Sequence, residues 1–155
     1  MASWLSFTNH KLYQSRLLLQ QAEQTSNPVV LQQALHDSAL YLLRDAYQSY
    51  LHELAELANF RQPFTSLHEL LSLTPLITGE MREFEQLEND SFSWLSAMLT
   101  ACVAAGNADA LDSQVPRTVQ PGMINLLDTS EPQTAYWHGQ LSQLIDLQRE
   151  NRQES

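Results

Sequence analysis

Residues 31–57 read LQQALHDSALYLLRDAYQSYLHELAEL. Leu31, Leu35, Ala39, Leu42, Ala46, Tyr50, Leu54 and Leu57 return every three or four residues, which places them on one face of an α-helix. Ala34, Leu43, Tyr47, Leu51 and Ala58 form a second ridge and widen that face. Gln33, Asp37, Arg44, Gln48, His52 and Glu56 fall on an opposite polar strip. Just upstream, Asn27-Pro28 pairs a good N-cap residue with a proline suited to the first helical position. The reading is a helix from Pro28 to about Asn59, roughly 48 Å long at 1.5 Å per residue. Nothing else in the chain is as long, so a kink or an overhang is expected.

The same spacing extends in both directions. Ser3 can cap a first helix that runs to about Thr25, with Leu5, Leu12 and Leu19 seven residues apart and Thr8, Ser15 and Ala22 on the next ridge. Downstream, Phe60-Arg61-Gln62-Pro63 ends the long helix. Ser66 with Glu69 forms a capping box for a short helix closed by Thr74-Pro75. Thr78 caps a further helix over about 79–105, which Asn89-Asp90-Ser91 can break in two with Asp90 as the second cap. Gly106-Asn107 stops it.

Residues 107–130 read as a long connection in which Met123, Ile124, Leu126 and Leu127 form one docking turn. The last helix starts near Glu131-Pro132 with Ser130 as its cap and buries Trp137, Leu141, Leu144 and Ile145. Residues 148–155 have no apolar anchor and are expected to fray. The fold class is all-α. A single domain over 1–155 is expected, an antiparallel bundle of four long helices and one short one.

Composition supports this. Val and Ile together number only 8 of 155 residues, which disfavours strands. The 8 Lys+Arg face 18 Asp+Glu, a formal net charge of −10, and Lys11 is the sole lysine. A chain that neutralises phosphates needs a basic stripe, so neither nucleic acid nor an anionic membrane surface is an expected partner. The opening MASWLSFTNHKLYQ has no basic stretch followed by an apolar one, and no window approaches the ~20 apolar residues of a membrane span. A cytoplasmic location is expected.

The residues that could carry chemistry point elsewhere. No Glu is followed by His three positions on, as a di-iron bundle requires, and HExxH is absent. His52 and Glu56, one turn apart, read better as an exposed i,i+4 pair than as half a metal site. Cys102 lies in the apolar stretch AMLTACVAA and reads as a buried, inert thiol. The run Glu80, Glu83, Glu85, Glu88, Asp90 reads as a solvated helix face before it reads as a dock for a basic partner. Tyr41, Tyr47 and Tyr50 could line a ligand pocket, although at helical spacing they are more often core aromatics. RNA-cleaving HEPN bundles are of similar size and carry an Arg and a His four to six residues apart. Arg61 and His68 enclose six, but Pro63 and the acidic charge argue against that activity. No catalytic residue, cofactor ligand or metal ligand is assigned, and no cofactor is expected.

The opening T-N-x-K-L-Y at Thr8–Tyr13, the two helices after it and the aromatic-rich connection resemble a family of small all-helical gammaproteobacterial proteins with no assigned function. The resemblance is mainly over the first 60 residues. It implies a bacterial, cytoplasmic helical bundle and brings no chemistry with it. The function expected on these grounds is non-enzymatic, through contact with a protein partner whose identity the residues do not name. A homodimer joined at the overhang of the long helix is one form of that contact. The alternatives are a small-molecule-binding bundle with its pocket near the tyrosines and, last, a HEPN-like ribonuclease.

Overall fold

Small side chains bring the first two helices together. In the computed structural model, which describes residues 3–107 and 132–154, helix α1 spans Trp4–Gln24 and helix α2 spans Val29–Leu57. The two run antiparallel. Thr8 Oγ1 lies 2.7 Å from Ser49 Oγ, Ser15 Oγ donates to the Ala39 carbonyl at 2.8 Å, and Gln32 Nε2 donates to the Ala22 carbonyl at 3.3 Å. Thr8, Ser15, Leu19 and Ala22 are the residues α1 buries. The seam is therefore mostly the small ridge, and of the leucine ridge only Leu19 is buried while Leu5 is exposed. Short side chains let two backbones approach closely, and each hydroxyl must find a partner once it leaves water.

Four more helices follow among the described residues: α3 (Leu67–Leu73), α4 (Gly79–Asn89), α5 (Trp94–Ala105) and α6 (Thr134–Glu154). No strand occurs among these residues. Helices α1, α4, α5 and α6 all pack on α2. From Ala39 to Ala55 α2 accordingly buries eleven residues spread around its circumference, including Ser49 and Glu53. Tyr47, Tyr50, Leu54, Phe84, Leu95, Met98, Leu141 and Ile145 belong to one continuous core. Cys102 sits in that core with Sγ 3.9 Å from the Leu40 carbonyl, and burial pushes its thiol up to about 11.

The caps at Ser3, Ser66 and Thr78 form where the sequence places them, each oxygen accepting from the backbone N–H three residues on. In the box at Ser66, the Glu69 carboxylate reaches back to the N–H and hydroxyl of Thr65, one residue earlier than the reciprocal pattern expects.

Several expectations are corrected. Asn27 is not the cap of α2: Pro28 occupies that position with an extended backbone, the helix begins at Val29, and no side chain caps it. The helix over 79–105 breaks in two at Asn89-Asp90-Ser91, as the sequence allows, so in place of four long helices and one short there are three long and three shorter ones among the described residues. Asp90 ends α4 instead of starting α5. Its carboxylate accepts from the Phe92 N–H, and Ser93 takes the cap by accepting from the Ser96 N–H. The last helix starts at Thr134, two residues beyond Pro132. It also does not fray at 148: α6 continues to Glu154, with Gln148 buried and Arg149 and Arg152 hydrogen-bonded across the bundle. Its anchors are polar, which a search for apolar ones misses. The expected turn at Met123–Leu127 and the Ser130 cap lie outside the described residues.

The overhang is present. None of the first ten residues of α2, Val29 to Ser38, is buried. Helices α5 and α6 meet the hairpin at Leu40, through Cys102, and at Leu12, whose carbonyl lies 2.9 Å from His138 Nε2, and the end of α5 and start of α6 border a pocket that reaches Asp37, His36 and Gln33 on α2.

Candidate functional site

At the other end of α2 the last two turns of α6 carry a connected polar network. The buried stripe of α6, Thr134, Trp137, Leu141 and Ile145, continues at the same spacing into Gln148 and then Arg152. The Tyr50 hydroxyl donates to Gln148 Oε1 at 2.7 Å and accepts from Arg152 Nη1 at 3.1 Å. Gln148 Nε2 donates to Glu83 at 3.2 Å, and Arg152 Nη1 donates to Glu80 at 2.6 Å. Arg149 Nη2 donates to both oxygens of the Glu53 carboxylate at 3.1 and 2.8 Å, and its Nη1 donates to Asn9 Oδ1 at 2.8 Å. Both guanidinium carbons lie near the Tyr50 ring, 5.6 and 5.9 Å from its centroid, within range of a cation–π attraction. Burial, with some opposition from Arg152, pushes the Tyr50 hydroxyl up to about 12, so at neutral pH it holds its proton and serves as both donor and acceptor.

Outside this network lies a cavity of about 480 Å3. Trp4 and Leu5 of α1, Leu57 at the end of α2, Arg61 just beyond it, and Arg149 and Arg152 of α6 line it, together with Glu53 and Glu56. Next to it three rings are layered: His52 lies 4.2 Å from Trp4 at an interplanar angle of 12°, and 4.1 Å from Phe64 at 29°. Burial between these rings is the larger influence on His52 and pulls its pKa below the ordinary 6.5, while Glu56 pulls the other way.

The sign of the resulting pH dependence follows. The unfolded chain takes up a proton on His52 near pH 6.5, and the folded chain resists it until a lower pH. This contribution to stability is complete above pH 6.5 and is lost as pH falls towards the folded value. His52→Phe, which keeps a ring in the stack, is expected to flatten the fall in urea-melt stability between about pH 7 and 5.5. An unchanged slope would assign it to other groups. Glu88 works in the opposite sense: burial raises its carboxyl above 4.5 against the hydrogen bond donated by Tyr47, so its contribution falls as pH rises from 4.5.

The residues weighed from the sequence are distributed unevenly. Tyr47 and Tyr50 are core residues, whereas Tyr41 is half-buried with the Arg44 guanidinium 5.1 Å from its ring. His52 is half-buried in the stack rather than exposed. The acidic run is not simply a solvated face, because Glu80, Glu83 and Glu88 bond to Arg152, Gln148 and Tyr47, while Glu85 pairs with Arg82 at the surface. Arg61 lines the cavity, and His68 is exposed on α3 and does not line it. No group of three or more His, Cys, Asp or Glu among the described residues is placed to hold a metal ion. Arg149, Arg152, Glu53 and Gln148 were not singled out from the sequence. The signal for them is the polar continuation of the apolar stripe on α6.

An all-helical protein with one central helix and a polar cluster at one end is what the geometry defines. The chain belongs to a family of unknown function, DUF6586, whose model matches residues 1–155, well beyond the first 60. None of the curated proteins and none of the solved structures compared with the chain matches it. No helix among the described residues is long and apolar enough to cross a membrane.

Proposed function

We propose that this chain is a non-enzymatic bacterial protein of the cytoplasm that works through protein–protein contact, with the free end of the α1–α2 hairpin as the contact surface and a second copy of the chain as its occupant. The supporting observation is the exposure of Leu17, Val29, Val30 and Leu31 at that end. Charge is also low in this region. Residues 17–36 carry one Asp, Glu, Lys or Arg, namely Glu23, in a chain whose net charge is −10. Two copies meeting through this end bring little charge together, and a two-fold axis lets each cover the other's apolar residues. The bacterial and cytoplasmic parts of the reading rest on the resemblance of the first 60 residues.

Sedimentation equilibrium at micromolar concentration tests this. The expected mass is twice 17.7 kDa, with tighter association as salt screens the residual repulsion. Val30→Glu, at a site 73% exposed, is expected to return the protein to a monomer without loss of helical signal. A single 17.7 kDa species at both low and high salt would mean that residues 123–127 of the same chain, or nothing, cover this end, and the dimer would be rejected.

A second reading has its own observation. The cavity of about 480 Å3 abuts the Tyr50 network, and this favours a small-molecule site near the tyrosines.

A further inference from the structure

Three of the chain's 8 Lys+Arg residues, Arg61, Arg149 and Arg152, line a single cavity. They come from two segments almost ninety positions apart in sequence, so the fold and not local composition gathers them. We propose that this cavity binds a small organic monoanion, a carboxylate attached to an apolar body. The proposal rests on the small-molecule reading above and gives it a ligand class.

The two inner arginines are held in place before any ligand arrives. Arg149 is fixed by Glu53 and Asn9, and Arg152 by Glu80 and Tyr50. Arg149 gives Nη1 to Asn9 and Nη2 to Glu53, while its buried Nε–H has no hydrogen-bond partner among the described residues, which leaves one donor for a further acceptor with the ordering cost already met. Arg61 differs: it is exposed at the mouth and has no ion pair, hydrogen bond or ring contact among the described residues. A purely structural role accounts for Arg149 and Arg152 but not for Arg61, nor for the exposed Leu5 and Leu57 on the adjoining wall.

Charge selects the ligand's valence. Glu53 neutralises Arg149 and Glu80 neutralises Arg152, so the guanidinium open to a ligand is that of Arg61, with the Glu56 carboxylate on the same lining. One negative charge pairs with Arg61, whereas a phosphate dianion would set a second negative charge beside Glu53 and Glu56. The wall of Trp4, Leu5 and Leu57 gives a strongly hydrated inorganic ion nothing to bind, whereas it buries an apolar body. The volume of about 480 Å3 is that of an ordinary small-molecule site. The carboxylate can belong to a free acid or to the C-terminus of a peptide, and the same chemistry serves both.

Titration of the full chain followed by NMR tests the proposal. The probes are octanoate, N-acetyl-leucine as the mimic of a peptide C-terminus, and octanamide as the uncharged control. Saturable binding of octanoate or N-acetyl-leucine is expected, with the Trp4 indole N–H signal moving and those of Trp94 and Trp137 still. Which of the two carboxylates binds more tightly identifies the source. Arg61→Gln, at an exposed position, is expected to weaken the binding about tenfold, the loss of one charge-assisted hydrogen bond. Octanamide binding as tightly as octanoate, or Arg61→Gln binding unchanged, would overturn the anion proposal and leave the small-molecule reading intact. No movement of the Trp4 signal by any of the three at about 10 mM, where even weak sites fill, would overturn both.

Discussion

Arg149→Met is expected to destabilise the protein by about 3–5 kcal/mol. The Glu53 side chain is 7% exposed and that of Arg149 is 15% exposed, so neither charge is well solvated, and removing the cation leaves a carboxylate buried without its counter-ion. The attraction within such a pair mainly offsets the cost of desolvating it. That argument carries a second expectation: Arg149→Met combined with Glu53→Leu should lie within about 1 kcal/mol of the parent, since the double change removes both the attraction and the desolvation cost. Urea melts of the two single variants and the double variant measure the coupling. A loss below about 1 kcal/mol for Arg149→Met would place the pair among solvated surface contacts and would remove the idea that the end of α6 is pinned by charge.

That pin also shows where the sequence stops being informative. The helices were legible because they depend on local rules: three-and-four spacing, Ser and Thr caps at Ser3, Ser66 and Thr78, and a scarcity of β-branched residues. What failed was mostly a matter of which neighbour a residue meets. Leu5 and Thr8 lie on adjacent ridges of α1, and periodicity cannot say which ridge faces α2. The answer is the small one, because Ser49 and the Ala39 carbonyl stand opposite with groups that bond to hydroxyls. Residues 148–154 looked unanchored because Gln148, Arg149 and Arg152 are polar, and their partners Tyr50, Glu53, Glu80 and Glu83 lie far away in sequence. The acidic run of α4 misled for the same reason. The cavity inherits this difficulty, since Arg61 and Arg149 become neighbours only after α6 has docked on α2.

Phe84→Ala is expected to cost about 3–5 kcal/mol, a large part of the ~5–15 kcal/mol that holds a domain of this size together. Phe84 is fully buried, with its ring centroid 5.3 Å from that of Tyr47 and 5.8 Å from that of Tyr50. Helix α4 buries only one other residue, Met81, so truncating the ring removes half of its buried side chains and opens a void against two tyrosines. The consequence extends past the void. Helix α4 also supplies Glu80, Glu83 and Glu88, which bond to Arg152, Gln148 and Tyr47, and these bonds depend on α4 holding its position. Phe84→Leu keeps part of the volume and is expected to lose less than alanine does. Amide exchange along α4 and the last turns of α6 should quicken together in Phe84→Ala, beyond the change expected from global stability alone. If the variant melts within about 1 kcal/mol of the parent, or if exchange quickens in α4 while the end of α6 stays protected, then Phe84 is not what couples α4 to the polar cluster.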